Sequence, residues 1–148
     1  MPLTVRNRQT TTLTDIEWRK GIVIGSISGI LCGWVLIALN ELTGVFVLEE
    51  SLVFNMMTFA IGGAVFGVVA GGFLALLERK LPFNGTLLKG ILVSTGLWIV
   101  LRLGGYMLSL NDAERFHADV GQTVQGFAFA VMLGAMLGGL WSREKSGG

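Results

Sequence analysis

Arg102 is the one ionisable residue well inside an otherwise apolar stretch that runs from about Thr86 to Leu110. A guanidinium carries five donors and keeps its charge. In lipid such a charge costs at least about 2.5 kcal/mol at the centre of the bilayer, and it is usually paired or functional. Counting from Leu87 at 1.5 Å per residue, Arg102 lies about 22 Å along a helix. That is about 8 Å short of the far boundary of a roughly 30 Å hydrocarbon core. Gln125 falls at similar depth in the last apolar stretch, and Gln122, Thr123, Asn55, Asn40 and Glu41 fall near it or above it. Together these residues can line a polar pocket that receives an anion or a polar solute. The competing expectation is that Arg102 snorkels outward and pairs with Glu41 or Asp112.

The remaining chemistry-bearing residues are sparse. Cys32 is the single cysteine, which excludes an intrachain disulfide and a paired-cysteine metal or redox site. No cationic residue flanks it, so it reads as a small apolar packing residue. His117 is the single histidine, which rules out a metal site built on several histidines of one chain, or a bis-histidine haem. It reads as a loop residue, as Glu49 and Glu50 read as a solvated loop edge. Asn84-Gly85-Thr86 has the form of a glycosylation acceptor but fits a turn and a cap. The sequence presents no nucleophile beside a base, no phosphate-binding loop and no ligand cluster. An enzyme needs such a convergent set, so the expectation is a protein without catalytic, cofactor or metal residues. A net charge of +1 carries no signal for nucleic acid.

These residues must be positioned by apolar helices. Of 148 residues, 52% are hydrophobic and only 14% charged, against about 25% charged in a soluble domain. Four apolar stretches, about 20–42, 52–77, 86–110 and 121–141, are each long enough to span a bilayer. The chain therefore reads as an all-α membrane protein with one four-helix transmembrane domain over 14–141. Residues 1–13 read as a flexible tail and 142–148 as a short tail. Thr14-Asp15-Ile16-Glu17 has the form of a capping box that starts the first helix. Trp18 stands where an interfacial aromatic belongs, and Asn40, Glu41 and Gly44 mark the exit. Leu81-Pro82-Phe83-Asn84-Gly85 is a turn, since proline ends helices and Asn-Gly favours turns. Thr86 is the expected cap of the third helix. Asn111 to Val120 reads as a polar loop.

Glycine organises the helices. Gly21, Gly25, Gly29 and Gly33 recur at intervals of four. Residues four apart share one helix face, so the row makes a smooth groove. In a soluble helix each would cost about 0.8–1.0 kcal/mol relative to alanine. In lipid the groove lets another backbone approach, and close packing drives helix association. Similar rows run through Gly63, Gly67 and Gly71, and through Gly126, Ala130, Gly134 and Gly138. The rows are expected to pack the helices of one chain, with an outward-facing row also conceivable.

The halves resemble each other. Lys20-Gly21-Ile22 and Lys89-Gly90-Ile91 open the first and third helices, Asn40-Glu41 and Asn111-Asp112 close them, and Gly67, Gly71 and Gly72 match Gly134, Gly138 and Gly139. The pattern predicts two tandem two-helix hairpins in parallel orientation, packed through glycine-zipper faces; parallel repeats of this kind occur in transporters. Arg6, Arg8, Arg19, Lys20, Arg79, Lys80, Lys89, Arg143 and Lys145 collect on one side of the four spans, and only Arg115 on the other. The positive-inside rule places both termini in the cytoplasm, with the chain multi-pass in the plasma (inner) membrane. The functional expectation is a non-catalytic packing or accessory subunit of a membrane assembly, either a homo-oligomer or a larger complex. The alternative is a small transporter or channel with an outward-facing polar pocket around Arg102. The lipid bilayer is the one partner certain to such a chain.

Overall fold

In lipid every backbone polar group needs an internal partner, and an interior proline would remove one. The chain has two prolines, Pro2 and Pro82, both outside the apolar stretches. Each stretch accordingly runs unbroken as a helix in the computed structural model, which describes residues 6–46, 48, 51–110 and 120–146. The helices are α1 (Arg6–Thr43), α2 (Leu52–Leu77), α3 (Thr86–Ser109) and α4 (Val120–Ser146). All four are long and apolar enough to cross a membrane. The described residues form no strand.

The ends differ from the sequence reading in three places. α1 begins at Arg6 rather than at Thr14, so residues 6–13 are helical where a flexible tail is expected. Neither glycine nor proline lies between Arg6 and Lys20 to stop a helix, and threonine in its interior costs only tenths of a kcal/mol, up to about 0.7. α4 continues past Trp141 to Ser146. At α3 the cap position belongs to Gly85, with extended backbone and no side-chain bond, and Thr86 is the first helical residue. Glycine is an accepted cap. The exit of α1 is as read: Gly44 takes φ 61°, and its N–H donates to the Asn40 carbonyl at 2.7 Å. A left-handed glycine there closes the last turn. Ser51 starts α2, its hydroxyl accepting from the Phe54 N–H at 3.4 Å. Residues 1–5, Val47, Glu49, Glu50, the Asn111–Asp119 part of the expected polar loop, and residues 147–148 lie outside the described residues.

α1 and α2 meet backbone to backbone. Gly21 faces Gly71, Gly25 faces Gly67, Gly29 faces Gly63 and Gly33 faces Phe59, so the two helices run antiparallel. A Cβ on Gly21 would stand 2.5 Å from the Gly71 carbonyl oxygen, and one on Gly67 would stand 2.9 Å from the Gly25 carbonyl carbon. Next to this row, the Trp18 ring lies over Gly72, within 3.0 Å of where a Cβ would be. α3 and α4 form the second antiparallel pair. There Gly134 sits against Ile91, Gly138 against Leu87 and Gly126 against the Trp98 indole, with Ala130 fully buried. α4 also packs against α1 and α2, and α2 against α3. The core follows from this arrangement: α4 supplies Leu133, Leu137 and Trp141, which pack with Cys32, Ala70, Leu74 and Val93. The Cys32 thiol donates to Met136 Sδ at 3.3 Å, joining α1 to α4.

Candidate functional site

The charged and amide side chains gather toward the two ends of the bundle, while the hydroxyls of Ser28, Ser94 and Thr95 are buried between them without a hydrogen-bond partner. At the end that holds the α3 C-terminus and the α4 N-terminus, Arg102 Nη2 donates to the Thr123 hydroxyl. The pairing follows from register, since Trp98 on α3 faces Gly126 and Phe127 on α4. One turn further along α3 and one turn back along α4 therefore bring residues 102 and 123 together. Arg102 is half-buried, and no ion pair to it forms among the described residues, Glu41 included. Asp112, the other expected acid, lies outside them.

Gln125 is buried, 9% exposed. Neither its amide oxygen nor its nitrogen has a hydrogen-bond partner. Gln122 is exposed and Asn55 is 8% exposed, and both are engaged in polar or ring contacts. Asn40 is 3% exposed and is spent on its own loop: its Nδ2 donates to the Phe46 carbonyl at 3.0 Å and its Oδ1 accepts from the Phe46 N–H at 2.7 Å. That double bond holds the chain beyond α1 close to the helix end, where Phe46 packs edge-on to Phe59. Glu41 is exposed. Of the residues expected around the pocket, Arg102 is thus joined directly to Thr123, while Asn40 turns to Phe46.

Beside this polar layer lies an apolar cavity of about 440 Å³ between the two hairpins. Gly33, Phe59, Gly62, Phe66, Trp98 and Phe129 are among its walls, and Thr58 is the one hydroxyl residue lining it. Trp98 and Phe127 meet at 5.5 Å, and Phe66 and Phe129 at 5.9 Å, so aromatic rings set the shape of two sides. A second apolar cleft, about 290 Å³, separates α2 from α3 nearer the other end, lined by Phe73, Leu77, Leu92, Gly96 and Val100 among others.

The opposite end is laced by charges. Glu78 is 7% exposed. Its Oε2 accepts from Trp141 Nε1 at 3.0 Å, and its carbonyl accepts from Lys89 Nζ at 2.6 Å. Arg79 pairs with Glu17 at 2.8 Å, and Lys20 with Glu144 at 3.3 Å. α1, α2, α3 and α4 are all tied at this end. An acid next to Arg79 and Lys80 looks solvated, and no local signal reveals that a tryptophan on another helix will cover it.

No protein-family model, curated protein or solved structure matches the chain.

Proposed function

We propose that this chain is a non-catalytic packing or accessory subunit of a membrane assembly, two glycine-packed hairpins of the same orientation with both termini in the cytoplasm of the plasma (inner) membrane. The observation that carries the reading is the uneven burial of the helices. Only 11% of the apolar window of α3 is buried within the chain, against 33% for each of the other three. The glycines of the first two rows meet backbone in the facing helix, and those of the third meet α3. Gly96 and Gly104, by contrast, have open space where a Cβ would be. They lie two turns apart on one face of α3, with the exposed Val100 between them. Small residues at such intervals let a further helix approach closely in lipid. A second copy or a helix of a larger complex would cover that face.

The duplication is supported by the matching Lys-Gly-Ile openings and by the close glycine approaches within each hairpin. The contacts of Lys20 with Glu144 and Cys32 with Met136 set α1 antiparallel to α4, as two tandem hairpins of one orientation require. The transporter alternative draws on Arg102, Thr123 and Gln125, but the neighbouring cavity is walled by apolar residues rather than by the polar groups a solute route would need.

The test uses cysteine substitutions in a Cys32→Ser background. Gly104→Cys on α3 and Ile61→Cys, exposed on α2, are crosslinked with a short bis-maleimide in native membranes. The expected outcome is a discrete adduct of defined mass at position 104 and none at 61, together with a purified particle heavier than the 15.9 kDa chain. A monomeric particle with no adduct at 104 would overturn the subunit reading.

A further inference from the structure

The cavity beside Arg102 combines three features that point to one kind of occupant. Its walls are apolar, its rim residues Thr58, Gly62 and Leu101 are exposed, and it therefore opens sideways between the hairpins. In a chain whose helices cross a membrane, that opening faces lipid rather than water. Its volume lies in the range of ligand sites, about 300–1,000 Å³. Arg102 then stands one turn beyond the cavity wall. It follows Trp98 by four residues, and its partner Thr123 precedes Gly126 by three, so both lie on faces shared with cavity-lining residues. The guanidinium makes a single bond to a neutral hydroxyl and pairs with no described carboxylate.

We propose that this cavity holds one acyl chain of an anionic phospholipid, with the headgroup phosphate on Arg102. The chain replaces the protein contacts that the apolar walls lack. The phosphate supplies the counter-charge that no described carboxylate gives the guanidinium, in a bidentate geometry that arginine favours. The inference needs the helices to span a membrane but not the subunit reading, because it concerns a single chain and is measured on lipid rather than on a protein partner.

The test is native mass spectrometry of the purified full chain in mild detergent, titrated with phosphatidylglycerol, phosphatidylcholine and oleate. One phosphatidylglycerol per chain should be retained. The preference over phosphatidylcholine should be about fivefold, the effect of one basic residue on anionic lipid. Arg102→Gln should bring the two phospholipids to parity. Gly62→Leu places a side chain where a Cβ meets nothing within 4 Å on the cavity wall. By excluding about two chain methylenes it should weaken both lipids about tenfold. Equal binding of both phospholipids by the wild type, or wild-type retention by Gly62→Leu, would overturn the proposal. So would oleate outcompeting phosphatidylglycerol, which would mark a free fatty acid site. A preference that emerges only in Asp112→Asn would also overturn it, by showing that Asp112 already neutralises Arg102.

Discussion

Adding one methyl group at Gly63 and one at Gly62 should have opposite effects, although the two residues are adjacent on α2. A Cβ on Gly63 would stand 2.9 Å from the Gly29 carbonyl carbon, with the oxygen nearer still. Ordinary contact begins at 3.4 Å, and the obstacle is backbone, which cannot swing aside as a side-chain tip can. α1 and α2 must therefore part by at least about 0.5 Å, a gap that forfeits about a quarter of the dispersion attraction across the contact. Lipid tails compete for apolar surface as well as any side chain does, so this packing is the main force holding the pair. Overpacking of this kind costs about 1–3 kcal/mol. The helix preference for alanine over glycine returns about 0.8–1.0 kcal/mol. Gly63→Ala should thus lose up to about 2 kcal/mol on balance. At Gly62 a Cβ meets nothing within 4 Å, so only the favourable preference remains, and Gly62→Ala should be neutral or stabilised by up to about 1 kcal/mol. Cys32 is the sole cysteine and is fully buried, so it reports unfolding directly. Its exposure on heating in mild detergent is followed with a fluorogenic thiol reagent. At about 4 °C per kcal/mol for a chain of this size, Gly63→Ala should melt up to roughly 8 °C below wild type. A Gly63→Ala protein as stable as Gly62→Ala would refute the reasoning and place the row against lipid.

Trp141→Phe keeps the ring but removes the N–H that Glu78 accepts at 3.0 Å; a hydrogen bond to a charged group contributes about 1.5–3 kcal/mol, so the same thermal assay should show a loss of that order, and Glu78→Gln should recover part of it in the double variant. For topology, Asn84→Cys and Glu114→Cys in a Cys32→Ser background should differ in intact cells: an impermeant thiol reagent labels Glu114→Cys from outside and leaves Asn84→Cys untouched, and the reverse would invert the proposed orientation.

The number of helices, and that each is long and apolar enough to cross a membrane, were legible in the residues themselves. Apolar length and helix period are local properties, and a glycine every fourth residue defines a groove whatever lies opposite. The exit of α1 at Gly44 and the turn around Pro82 were legible for the same reason, because backbone conformation is set largely by the residue that adopts it. The start of α1 was not, because a capping box marks where a helix can begin and not where an uninterrupted polar segment must stop. What the rows face was decided only in three dimensions: Gly63, Gly67 and Gly71 fit the first row, whereas Gly134 and Gly138 fit against Ile91 and Leu87 of α3. The polar residues show the limit most clearly. Asn40, Gln125 and Glu78 look alike in sequence, each a polar group at or near a helix end. The fold gives Asn40 to its own loop, covers Glu78 with Trp141, and leaves the Gln125 amide buried without a partner. Periodicity says which side chains share a face. What each face meets depends on contacts between residues tens of positions apart, and those are set by how closely the four helices can pack.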